Sequence, residues 1–236
     1  MAGILFIISA PSGSGKSTLV SQLLTLVERI DFSISYTTRP PRGSEQDGRE
    51  YHFTTREEFL RMVDAGEFLE WAEVFGNFYG TAVSALDQAR DRGHDLLLDI
   101  DVQGALQVMK KLPEAVSIFI LPPSPQVLEM RLRNRSHAEH MTSEGVIERR
   151  LSEAREELKQ LHHYRYALVN DILDLAVTEM RAIVFSERIQ TGDTVAGLGS
   201  ELSESLAPSA TTIANGCLTS PPSARLSTAL ATFGQE

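Results

Sequence analysis

Ser9-Ala10-Pro11-Ser12-Gly13-Ser14-Gly15-Lys16-Ser17-Thr18 joins a continuous apolar run, Ile4–Ser9, to a stretch with helical spacing. Small residues let successive backbone N–H groups turn inward as a concave anion site, and the helix that follows adds its positive end. Lys16 has the reach for the β- and γ-phosphates of a nucleotide, and the Ser17 hydroxyl suits magnesium. The strict phosphate-loop pattern has Gly where this chain has Ala10, but Gly15-Lys16-Ser17 and the strand-loop-helix context are kept. A Ser/Gly loop that merely caps a helix is the bland alternative.

A second carboxylate-bearing run, Leu96-Leu97-Leu98-Asp99-Ile100-Asp101, ends where ligands bind in open α/β sheets. Side chains two apart on a strand share a face, so Asp99 and Asp101 can act together on magnesium-bound water or on a substrate. Arg39 and Arg42, three residues apart and followed by Tyr51, offer bidentate and neutral donors to a phosphate monoester that does not react. Glu70 comes next, before Tyr79 and Thr81. A carboxylate accepts both the N1–H and the 2-amino proton of guanine, whereas adenine presents an acceptor at N1 and leaves it unpaired. Such a mismatch is worth roughly 10⁴-fold in discrimination. A solvated Arg/Pro loop and a surface Glu remain the alternatives for these two features.

Strands and helices must alternate to hold these groups. Buried-strand runs stand at Ile4–Ser9, Leu96–Ile100, Val116–Leu121 and Ala167–Val169, and helical patterns at 17–29, 83–92, 103–110, 125–134, 144–163 and 173–187. The expected fold is α/β: a parallel sheet with helices on both faces, of the kind that carries phosphate loops. Residues 33–82, richer in Arg, Gly, Thr and aromatics, read as an insertion with its own small β structure, including Glu50–Thr54 and Phe78–Thr81.

The 236 residues suit one domain with appendages. A net charge of −10 argues against nucleic-acid or anionic-membrane partners. The apolar runs are too short for the ~18 residues of a membrane helix. One cysteine, Cys217, excludes an internal disulfide framework, and a soluble, cytoplasmic protein is expected. Residues 190–236 hold only Asp193, Glu201, Glu204, Glu236 and Arg225 as charges, and Pro208, Pro221 and Pro222 interrupt them. No period persists there, so a disordered or loosely attached tail is expected.

The combination of Ala10–Ser17, Thr38-Arg39-Pro40-Pro41-Arg42, Gly48 with Tyr51-His52-Phe53, Phe78-Tyr79-Gly80-Thr81 and Leu98-Asp99-Ile100-Asp101-Val102-Gln103-Gly104 resembles guanylate kinase over about residues 3–188. The resemblance implies MgATP-dependent phosphorylation of GMP and dGMP. It implies a core (1–32, 83–125, 156–189), a GMP-binding domain (33–82) and a lid (126–155) that close on the substrates. Residues Ala10 to Thr18, Arg131 and Asn170 would bind ATP, and Lys16, Arg135 and Arg150 would serve the transferring group. Ser35, Arg39, Arg42, Tyr51 and Tyr79 would hold the GMP phosphate, with Glu70, Thr81 and Asp101 reading the guanine. Ser17 and Asp99 would serve Mg²⁺.

The chain departs from the family at three places. Ser136 stands where Gly usually follows the second lid arginine, and His137–Ser143 lengthens that segment; His137 and His140 are spaced as metal ligands could be, with no supporting cluster. Arg165 replaces a common acid, and the tail lacks the usual basic closing helix. A phosphopeptide-binding module of the same shape would lack the phosphate loop, and a sugar-phosphate kinase would not need Glu70, Thr81 and Asp101.

Overall fold

The computed structural model describes residues 3–74, 76–138, 144–192 and 200–234, apart from the side chains of 135, 137, 138 and 200–207. The strands are β1 (Leu5–Ser9), β2 (Ile30–Phe32), β3 (Tyr36–Thr37), β4 (His52–Phe53), β5 (Phe68–Val74), β6 (Asn77–Ala82), β7 (Asp95–Asp99), β8 (Val116–Leu121) and β9 (Tyr166–Val169). The helices are α1 (Lys16–Leu26), α2 (Arg56–Asp64), α3 (Val83–Arg92), α4 (Val102–Lys111), α5 (Pro125–Ala138), α6 (Glu144–Leu158), α7 (Leu173–Gln190), α8 (Ser200–Asn215) and α9 (Ala224–Phe233). A 3-10 turn, Lys159–His163, ends the helical pattern expected over 144–163. One parallel sheet has the order β2-β7-β1-β8-β9, and a mixed sheet has the order β4-β3-β6-β5. The expected α/β class is what the chain adopts. None of the described helices is long and apolar enough to cross a membrane.

Two compact units divide the chain: Met1–Ile7 with Arg29–Ala115, and Ile8–Glu28 with Val116–Glu236. In the first, β2 pairs in parallel with β7, and the buried Asp95 carboxylate accepts the Ile4 amide at 2.7 Å. The mixed sheet carries a satellite core in which Phe59 stacks on Phe68 and Phe78, with ring centroids 4.5 and 5.3 Å away. Phe59 is delivered by α2. Thr55 caps that helix by accepting the Glu58 amide, and the spacing Thr55-x-x-Glu58 is a capping-box sequence. Sequence periodicity alone did not single out α2, β2, β3 or β5, because short segments show too few turns or alternations to stand out.

In the second unit, β8 is buried along its whole length, as a parallel strand covered on both faces must be. Its register with β9, Ile118 to Tyr166 through Leu121 to Val169, fixes the loop that follows β9. Arg165 closes a buried set there. Its guanidinium meets Glu187 at 2.9 Å, and the Tyr166 hydroxyl donates to the same carboxylate at 2.5 Å. Glu187, 4% exposed, is thereby satisfied inside the core.

The tail departs from the sequence-based expectation of disorder. Helix α8 packs along α7 with Pro208 inside it, and α9 packs beside β9. Leu218 forms an antiparallel bridge to Tyr166, the Ala167 amide donates to the Cys217 carbonyl at 2.7 Å, and the Thr219 amide donates to the Arg165 carbonyl at 3.1 Å. Strand β9 ends its sheet, so these bonds satisfy polar groups that an edge strand leaves open. Among the described tail residues, Ala210, Ala214, Cys217, Leu226 and Ala229 are buried. Small side chains mixed with Ser and Thr give a weak amphipathic contrast, which is why the period was not visible.

Replacing Phe59 with Ala empties the center of the satellite core. Denaturant titration is expected to show a loss of about 3–5 kcal/mol; a loss below about 1 kcal/mol would mean that this cluster does not hold the mixed sheet.

Candidate active site

The first unit assembles one set of polar groups around Glu70 and another around Arg39. Antiparallel pairing of β5 with β6 sets Glu70 opposite Thr81, after a register shift between Phe68 and Glu70. The Thr81 hydroxyl donates to Glu70 Oε1 at 2.7 Å. Glu70 is 4% exposed, and burial pushes its carboxyl up to about 7, with the Asp101 charge adding to the shift and the Thr81 bond opposing it. Asp101 caps α4 by accepting the Gly104 amide at 2.8 Å. Gly104 itself makes the room: a Cβ there would stand 2.4 Å from Glu70 Oε2. Lys111 and Gln107 of α4 bind the Leu69 and Trp71 carbonyls at 2.6 and 2.7 Å, so the helix grips β5 on either side of Glu70.

Arg39 is 7% exposed and doubly bonded to Glu45, each contact at 3.0 Å. Its amide donates to Thr37 Oγ1 at 3.1 Å, and its guanidinium lies 5.3 Å from the Tyr51 ring centroid. Tyr51 and Tyr79 meet edge to face at 5.9 Å. Burial raises the Tyr51 hydroxyl above its ordinary range, and the charges at Tyr79 and Asp99 add to it. Arg42 is exposed on the same loop, with its amide on Glu45 Oε2 at 2.7 Å, and Ser35 is half-buried with its carbonyl accepting the His52 amide. Glu45 and Gly104 are the two positioning residues that spacing did not assign. Glu45 lies between Arg42 and Tyr51 in the chain, but no residue type alone tells an internal counter-ion from a surface acid.

The second unit holds the phosphate loop. Gly13 and Gly15 have φ of 89° and 86°, in the left-handed region that glycine adopts without strain. Pro11 accepts the Ser14 amide at 3.0 Å and closes the turn. Helix α1 starts at Lys16 with no side-chain cap and no acid in its first turn, so its N-terminal amides keep their positive end for an anion. Ala10 is buried and Ser12 exposed, while Ser17 and Thr18 are exposed on the first turn.

One carbonyl organizes the rest of this half. Asn170 Nδ2 and Arg131 Nη1 both donate to the Ser14 carbonyl, at 2.7 and 3.2 Å, and Arg131 Nη2 also reaches the Asn170 carbonyl at 3.1 Å. A Cβ on Gly15 would lie 2.4 Å from Asn170 Nδ2, so glycine is required for this approach. On α5 and α6, Arg150 Nη1 donates to Ser136 Oγ at 3.1 Å, and Arg133 links Glu129 of α5 to Glu144 of α6. Ser136, the departure from Gly, therefore acts as the acceptor for Arg150. The Arg135 and His137 side chains, and His140, lie outside the described residues.

A family model described as Guanylate kinase matches residues 3–187. The curated guanylate kinase of Koribacter versatilis is 59% identical over 194 residues, 82% of this chain and 83% of that protein. The guanylate kinase of Vibrio cholerae is 44% identical over 207 residues, 87% and 98% of the two chains. A crystal structure of guanylate kinase from Anaplasma phagocytophilum, 35% identical, matches with a TM-score of 0.65 over 87% of this chain and 96% of that one.

Because folding raises the Glu70 pKa from an ordinary carboxylate value to about 7, the protonated carboxyl is the form the fold favors. Its contribution is complete below about pH 4.5 and is lost as pH rises through 7. Denaturation of the ligand-free protein across that window is expected to show a decline on the order of 3 kcal/mol that Glu70→Gln removes. Parallel curves for the two proteins would overturn this.

Proposed function

The chain belongs to the guanylate kinase family and is an ATP:GMP phosphotransferase, and we propose the following division of labor among its residues. The observation that carries the reading is the buried Glu70 carboxylate with Thr81 and Asp101 beside it. A guanine edge offers Glu70 two N–H donors and draws it to its ionized form, which adenine cannot do. Arg39, Arg42, Tyr51, Tyr79 and Ser35 hold the phosphate of GMP or dGMP. Glu45 keeps Arg39 in place before the substrate arrives.

The phosphate loop, Ala10 to Thr18, wraps the phosphates of ATP, with Asn170 and Arg131 on its adenine side. The reaction is an in-line attack by a GMP phosphate oxygen on the γ-phosphorus through a loose transition state. The nucleophile is already an anion, so no strong base is required. What the reaction needs is positive charge where two anions meet, and Lys16, Arg135 and Arg150 supply it. Ser17 and Asp99 are hard oxygen donors that fit magnesium or its waters. A metal that arrives on phosphates needs only one or two protein ligands, and no group of three or more His, Cys, Asp or Glu suited to a metal occurs among the described residues. When bound, magnesium adds positive charge against the β- and γ-phosphates.

In this reading, residues 33–82 form the GMP-binding domain, 126–155 the lid, and 1–32, 83–125 and 156–189 the core. Lid closure then excludes water, which would otherwise hydrolyze ATP. A cytoplasmic location is supported by the substrates and by a single, buried cysteine.

ADP formation from MgATP with GMP, dGMP, AMP, UMP, CMP or no acceptor tests the reading. Turnover is expected with the two guanine nucleotides and little with the rest; comparable rates with AMP would overturn the assignment of Glu70. Lys16→Ala is expected to lower kcat by about 10³-fold or more with an unchanged circular-dichroism spectrum, and a folded, active variant would contradict the role of the loop. Glu70→Gln is expected to reduce the preference for GMP over AMP by roughly 10²–10⁴-fold while KM for ATP stays near its original value.

A further inference from the structure

Arg225 lies on α9, beyond residues 3–187 matched by the family model. It is the only base in the tail, and it turns toward the loop that ends β9. Its Nη2 donates to the Val169 carbonyl at 2.6 Å and to Asp171 Oδ1, and its Nη1 donates to Glu179. Val169 and Asp171 are the residues immediately before and after Asn170. One guanidinium therefore ties the chain on both sides of the residue whose amide holds the Ser14 carbonyl. Asn170 is fixed from the other side by its own amide, which donates to the Leu121 carbonyl at 2.8 Å.

Helix α9 has a second anchor. Its last residue, Phe233, packs on the cluster of Leu128, Leu132 and Ala154 from α5 and α6. Ser223 caps its first turn by accepting the Leu226 amide. Arg225 sits in the first turn of α9, two residues after the cap, so its reach is set by the backbone rather than by a free tail.

We propose that Arg225 is a positioning residue for the ATP half of the site, holding Asn170, and through it the Ser14 carbonyl, in the geometry the triphosphate requires. The inference rests on the reading of the phosphate loop as the ATP site. Loss of Arg225 frees the residues flanking Asn170, leaves Asp171 and the half-buried Glu179 without their cation, and loosens the loop that Asn170 braces. The guanine half has no share in these bonds, so its binding is unaffected.

Steady-state kinetics on the full chain decides it. Arg225→Ala is expected to raise KM for ATP about tenfold, with KM for GMP within about twofold. Arg225→Lys keeps the charge but not the fork, and is expected to restore most of that loss and leave about a threefold rise. Phe233→Ala disturbs the other end of α9 and is expected to lower Tm while leaving both KM values near wild type. An unchanged KM for ATP in Arg225→Ala, equal rises for both substrates, or the same kinetic change in Phe233→Ala would each overturn the proposal. If Arg225→Ala does not fold, a wild-type KM for ATP in Arg225→Lys overturns it. Lys16→Ala in the same assay separates the two readings: if it is inactive while Arg225→Ala is normal, only the role of Arg225 fails, and if it is active, the ATP-site reading fails with it.

Discussion

Burial of a carboxylate is the constraint from which the arrangement around Glu70 follows. An ionizable group at 4% exposure is unfavorable unless something compensates it, and its pKa near 7 records that cost. Each neighboring feature answers it. Strand register presents the Thr81 hydroxyl, Gly104 gives up its side chain to make room, and α4 clamps the strand on both sides. On the proposed reading, a ligand with two donors completes this half-compensated site, so instability of the empty state and selectivity for the filled one have a common origin.

The phosphate half works by the opposite rule. There the helix start is what matters: α1 has no side-chain cap and no acid in its first turn, so its positive end is not neutralized from within the helix. The loop before it is held from behind through the Ser14 carbonyl, by a neutral amide and by a cation. Two glycines with positive φ make the turn possible, one of them because its neighbor is too close for any side chain.

Much of this was legible in the sequence. The runs Val116–Leu121 and 83–92 have the boundaries found in the structure, because a strand buried on both faces and a helix ended by Gly93 leave strong local patterns. Residue chemistry grouped Arg39 with Tyr51, and the family resemblance added Tyr79 to them and Asp101 to Glu70 and Thr81. What escaped notice were relations that exist only in three dimensions. Glu45 as a partner for Arg39, Gly104 as space for Glu70, and Ser136 as acceptor for Arg150 have no local pattern. Pro208, a helix breaker by its ring and missing N–H, lies inside α8. The tail helices hide because alanine buries little and contrasts little with serine.

The bond between Ala167 and Cys217 also sets a schedule. Strand β9 leaves the ribosome roughly fifty residues before the segment that covers its outer edge, which at ~5–20 residues per second is an interval of several seconds. Throughout that interval the nascent chain carries an open strand that another nascent chain on the same message could pair with. Synthesis speed and chaperone access over that interval thus bear on yield, even though the tail covers Tyr166 and Ala167 in the folded molecule.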